Sequence, residues 1–224
     1  MKKEVNGRTR IDLARQIPLA LLRLYEEDSS IVSAVQVSII TFNTEAKCVL
    51  ELGEIQRLRN VSLEFEAQSK TFFGKAFDEI YERINADYKR LSGANKFMKP
   101  TVVIVTDGGP NDEAGDRNSS FRRLVPIDKN TGKPDRSVFA LWPQIIMLGI
   151  DAASERALQL FSYRNETYYK ADDAMSVDQQ IAKIAKKVKD AVSTSMAEPE
   201  TNPDEPWTDW LKDDDDDPTD LFDW

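Results

Sequence analysis

Apolar residues at Ile11, Ala14, Ile17, Leu21 and Leu24 recur at helical spacing, which predicts an amphipathic helix over Arg10–Glu26. Thr9 stands where an N-cap belongs, and Pro18 inside the pattern predicts a kink or a division into two pieces. The period then changes. Ala34–Phe42 and Lys47–Leu52 read as strands, and with only Asn43–Ala46 between them they predict an antiparallel hairpin. Phe73, Ala76, Phe77, Ile80 and Ile84 give one apolar side to a helix running from Phe72 to Leu91. Pro100 precedes Thr101–Val105, a β-branched run that reads as a strand buried on both faces. Residues 108–137 are rich in Gly, Pro, Asn and Asp and predict a long loop with one helical turn around Ser120–Leu124. Gln144–Ile150 predicts another buried strand, Ser154–Phe161 a short helix, Thr167–Lys170 a short strand and Ser176–Met196 the last helix. Strands that alternate with helices after one hairpin predict an α/β fold: three layers, with a mostly parallel doubly wound sheet and one antiparallel edge strand.

The chain has 224 residues, enough for one well-buried domain with a segment left over. The predicted division falls at 1–196 for the domain and 197–224 for a disordered acidic tail. From Glu198 to Trp224 stand twelve acids and one lysine, so the net charge of −9 belongs to the tail and the body is close to neutral. That balance gives the domain no charge signature for nucleic acid. No apolar run reaches the roughly 18 residues of a membrane helix, and the first residues lack the apolar core of a signal peptide. With Cys48 the only cysteine, no intrachain disulfide forms; a buried thiol in a reducing, cytoplasmic compartment is expected.

Histidine is absent, which removes the usual general base and the usual zinc ligand, together with every Ser–His or Cys–His nucleophile pair. Gly-rich phosphate loops are missing too. A non-enzymatic role is therefore expected. Asp107 ends the Thr101 strand at the sheet edge where α/β proteins bind ligands, although an Asp-Gly turn explains the same residues. Thr71 reads as the N-cap of the following helix. Asp112, Glu113 and Asp116 read as a solvated loop, and Asp151 as a rim residue or a helix cap. Lys183, Lys186, Lys187 and Lys189 form a face opposite Ile181, Ile184, Val188 and Val192, either solvated or a surface for acidic segments.

The tail carries its own signal. Trp207, Trp210 and Leu211 share one stripe if helical, behind a first-turn Pro206, and Leu221, Phe222 and Trp224 form a second apolar cluster. Aromatics are depleted in disordered segments, so these six are candidate partner-binding residues that fold on contact. A plain solubilising tail is the competing reading.

Three pieces taken together resemble the von Willebrand factor A (VWA) family, especially its bacterial tellurite-resistance TerY-like members. They are Val37–Asn43 followed by Ala46–Leu50, then Ser69–Ala76, and Val103–Asp112 with its Thr-Asp-Gly step. The resemblance spans roughly residues 5 to 195. It implies a metal-ion-dependent adhesion site for Mg²⁺ or Mn²⁺ at the top of the sheet, with Thr71 and Asp107 in ligand positions. A hard cation of this kind takes oxygen donors and keeps several waters. The family's DxSxS motif is absent, so the resemblance implies a missing central first strand and a cation held weakly or not at all. Met1 then matches the methionine that ends the motif, as in a longer reading frame. Without that strand, Val35–Thr41 and Val102–Val105 are left with unpaired edges, and direct pairing between them is the expected closure. The implied role is a cytoplasmic interaction module of a bacterial stress-response, phospho-signalling or anti-phage system, without nucleic-acid or membrane binding. A kinase or PP2C-type phosphatase encoded nearby is the implied partner. The competing class is a metal-dependent phosphatase or nuclease using Asp107, Asp112 and Asp151.

Overall fold

In the computed structural model the described residues are 4–5, 8–26, 35–61, 70–91, 100–128, 135, 137–150, 153, 155–162, 168–170 and 177–197. A two-residue hairpin, β1 (Glu4–Val5) and β2 (Arg8–Thr9), leads into α1 (Arg10–Glu26). Thr9 belongs to β2, and α1 runs through Pro18 as a single helix. Pro18 removes one amide from the helix ladder, a loss that burial of Ile17, Leu22 and Tyr25 on either side offsets.

Strands β3 (Gln36–Phe42) and β4 (Ala46–Glu54) form the expected antiparallel hairpin. Its turn is set by Asn43, whose Oδ1 accepts the Glu45 amide at 2.9 Å. A 3₁₀ helix over Ile55–Asn60 follows and buries Ile55 and Leu58. Cys48 lies half-buried on β4, its thiol donating to the Leu50 carbonyl at 3.3 Å.

The rest alternates as read from the pattern: α2 (Phe73–Leu91), β5 (Thr101–Thr106), α3 (Ala114–Leu124), β6 (Gln144–Gly149), α4 (Glu155–Phe161), β7 (Tyr168–Lys170) and α5 (Val177–Ala197). One element differs in kind. Where the sequence predicts a single turn, α3 is an 11-residue helix. Its buried face is Arg117, Phe121 and Leu124, and the arginine at its head hides the apolar period.

Strands β5, β6 and β7 form a parallel sheet in the order β5-β6-β7, while β3 and β4 form a sheet of their own. Among the described residues β3 pairs only with β4, and β5 only with β6, so the expected direct closure between β3 and β5 does not occur. The physical reason is the helices. On one side, α2 places Phe73, Phe77 and Ile80 in a cluster that takes Ile40 and Phe42 from β3 and Val102 and Ile104 from β5. On the other side, Leu21 of α1 packs against two clusters, one of which also takes Val103 and Val105 of β5 and the other Val37 and Ile39 of β3. The two strands thus feed common apolar clusters without pairing with each other.

The main core lies under α2 and α3. Phe73, Phe77, Phe121 and Phe161 pack edge-on or tilted with ring centroids 5.1 to 6.1 Å apart. A second core sets Ile181, Ile184 and Val188 of α5 against Ile146 and Leu148 of β6. Lys183, Lys186 and Lys187 are exposed, as expected of the opposite face. Lys189 instead donates to the Leu24 carbonyl at 3.1 Å, holding the last turn of α1.

Candidate functional site

Three loops meet where β3 and β5 end. Asn43 follows β3, Thr71 precedes α2, and residues 107–113 follow β5. The Phe72 amide donates to the Asn43 carbonyl at 2.7 Å. The Thr71 amide donates to Asn111 Oδ1 at 2.9 Å, and the Asn111 amide returns a bond to the Thr71 carbonyl at 2.8 Å. Reciprocal bonds of this kind fix both loops at once. They also bring the carboxyl ends of β3 and β5 to one rim.

Thr71 is not the N-cap of α2, whose first helical residue is Phe73. The capping acceptor comes from another loop: Asp112 Oδ2 takes the Gly74 amide at 2.6 Å. A carboxylate at a helix N-terminus meets free amides and the positive end of the helix dipole, so it displaces a neutral hydroxyl there. The same carboxylate faces Arg117, whose Nη1 donates to Asp112 Oδ1 at 3.2 Å and to the Asp112 carbonyl at 2.8 Å. The Arg117 side chain is 1% exposed and that of Asp112 is 10% exposed. Asp112 is therefore no solvated loop residue, as its sequence context suggests, whereas Glu113 and Asp116 are exposed. An arginine at the head of a helix face continued by Phe121 and Leu124 must enter the core, and a buried guanidinium demands an acid.

Asp107 sits half-buried at the end of β5, next to Thr106, whose hydroxyl donates to the Gly108 carbonyl at 3.0 Å. The loop that begins at Asp107 reaches Thr71 through Asn111, so both candidate positions belong to one rim. Among the described residues no three acids, histidines or cysteines gather as a metal cage. One carboxylate and one hydroxyl fall short of the donors that hold a resident hard cation, and the described rim does not fit one. Asp151 lies outside the described residues, as do Trp207, Trp210, Leu211, Leu221, Phe222 and Trp224. No described helix is long and apolar enough to cross a membrane.

Comparison with solved structures supports this fold. The proximal thread matrix protein 1 of the mussel byssus superposes with a TM-score of 0.58 at 13% identity, covering 84% of this chain and 44% of its own. The pilus adhesin SpaC of Lactobacillus rhamnosus GG gives 0.58 at 15% identity over 84% of this chain and 28% of its own. A further form of the mussel protein, with zinc in its metal-ion-dependent adhesion motif, gives 0.53 at 14% identity over 80% of this chain and 43% of its own. The chain thus spans less than half the length of the solved chains it matches. No protein-family model and no curated protein matches the sequence. The fold is a VWA-like α/β domain.

Proposed function

We propose that this chain is a non-enzymatic protein-interaction module that presents its partner-binding surface at the joined rim and in the acidic-aromatic tail. The observation that carries the reading is the reciprocal bonding of Thr71 and Asn111, which makes three loops one preformed platform. A preformed surface lowers the ordering cost of binding. At this rim Thr71 and Asp107 hold a Mg²⁺ or Mn²⁺ ion weakly or not at all, and partner recognition does not depend on it. Trp207, Trp210, Leu211, Leu221, Phe222 and Trp224 supply apolar anchors within an acidic segment.

The setting that agrees with the residues is a bacterial cytoplasm, in a TerY-like, stress-response, phospho-signalling or anti-phage role, with a kinase or PP2C-type phosphatase as partner. Asp112 argues against the rim as a phosphatase or nuclease centre, because its carboxylate already serves Gly74 and Arg117. The test is a pulldown with the full chain and with residues 198–224 deleted. Loss of a defined partner on deletion supports the tail as recognition segment, and unchanged recovery removes it.

A further inference from the structure

Helix α5 divides its residues by charge. Ile181, Ile184, Ala185 and Val188 are buried, while Lys183, Lys186 and Lys187 are exposed. From Gln179 to Lys189 the helix holds four lysines and no acid. Lys189 is committed to the Leu24 carbonyl of α1 at 3.1 Å. Lys183 stands over the Tyr169 ring, its Nζ 5.0 Å from the centroid. Arg15, Arg59, Arg83, Arg90 and Arg123 each pair with an acid, but among the described residues Lys183, Lys186 and Lys187 pair with none.

The surroundings do not neutralise this face. Lys183 stands three and four residues before Lys186 and Lys187, so like charges are neighbours on the helix and repel. In the turn of α1 that Lys189 holds, Arg23 is exposed and Glu26 is taken by Arg59. Asp190, exposed one turn past Lys186, is the first acid beyond the lysines. One acid against three exposed lysines leaves the face positive, and a polyanion laid on it would relieve the repulsion.

We propose that residues 198–224 dock back on the Lys183–Lys187 face of α5 in the same molecule, acids against the ammonium groups and indole rings over them. These residues hold twelve acids and one lysine, with five consecutive acids from Asp213 to Asp217. Trp207 and Trp210 add indole faces, the aromatic surface that attracts a cation best. The reach is ample. Lys183 lies 14 residues before the end of α5 at Ala197, a rise of about 21 Å. An extended chain covers roughly 3.3 Å per residue, so about seven residues return over that distance. Asp213 stands 16 residues past Ala197. Attachment to α5 itself makes the encounter intramolecular, at an effective concentration on the order of millimolar. For the recognition role proposed above, docking is a brake: a partner must displace the lysines before it takes Trp207, Trp210 and Leu211. Only this consequence rests on that reading.

The test is carbodiimide coupling of the full chain at low salt and low protein concentration, which joins a lysine amine to a carboxylate in contact with it. Lys47, Lys75 and Lys89, exposed elsewhere on the body, are the internal controls. Mass spectrometry of the monomeric fraction is expected to find Lys183, Lys186 and Lys187 joined to acids of residues 198–224 on the order of tenfold more often than the controls. In about 0.5 M salt, where charges are screened beyond roughly 4 Å, that excess should fall severalfold. Four outcomes overturn the proposal: no such links, links spread evenly over all exposed lysines, an excess indifferent to salt, or links found only in covalent dimers, which assign the face to the tail of a second copy. Partner recovery after deletion of residues 198–224 is a separate measurement, so either reading can fail alone.

Discussion

The Asp112 carboxylate caps the backbone amide of Gly74 at 2.6 Å across 38 residues of sequence. One side chain thereby fastens the loop after β5 to the start of α2, and its second oxygen neutralises the buried Arg117. Removing it strips a helix cap and leaves a guanidinium in the core without its acid. Asp112→Ala is expected to cost about 3–5 kcal/mol in urea unfolding, and Asp112→Asn, which keeps an acceptor, distinctly less. Equal stability of Asp112→Ala and the parent chain would contradict this account of the rim.

Gly149 closes β6 where α4 crosses it. A Cβ there would stand 2.5 Å from Leu158 Cδ1 and 2.7 Å from Ala153 Cβ, closer than carbon atoms pack. The leucine tip can turn aside, but Ala153 Cβ is fixed to its backbone. Gly149→Ala is expected to destabilise by about 1–3 kcal/mol, read as a lower urea midpoint with an unchanged slope.

Tyr25 ends α1 with its ring fully buried against Ile55 and Leu58, and its hydroxyl has no hydrogen-bond partner among the described residues. Burial pushes the phenol up from 10.0 to about 12, because the phenolate would lose its hydration. The folded state therefore holds this proton more tightly than the unfolded chain. The resulting stability is complete below pH 10 and falls as pH rises toward 12. Tyr25→Phe should remove this alkaline loss and, by deleting an unsatisfied hydroxyl, match or exceed the parent's stability at neutral pH. Urea midpoints of both proteins at neutral and alkaline pH check both statements.

Asp107 and Thr71 supply too few oxygens to hold a cation firmly. Millimolar Mg²⁺ or Mn²⁺ should shift the thermal midpoint by less than about 3 °C, since ligand near its dissociation constant adds only about 0.4 kcal/mol. A larger shift that disappears in Asp107→Ala would show a tighter site than this donor set provides.

The secondary elements were legible because they rest on local periodicity. Phe73, Phe77 and Ile80 repeat along one helical face, and Val102–Val105 is an unbroken β-branched run. The hairpin was legible from its short turn at Asn43. The full length of α3 was not, because Arg117 reads as a surface residue until a carboxylate is brought to it. Thr71 as the cap of α2 failed for the same reason: the acceptor that serves Gly74 comes from a loop far along the chain.

Sequence alone thus determined the α/β alternation, the acidic tail and the absence of histidine chemistry, since each is a property of neighbouring residues or of composition. Tertiary structure alone decided which loops form the rim, which acid is consumed in holding it, and that among the described residues β3 and β5 do not pair. Those outcomes depend on contacts between residues distant in the chain, where packing and desolvation outweigh local preference.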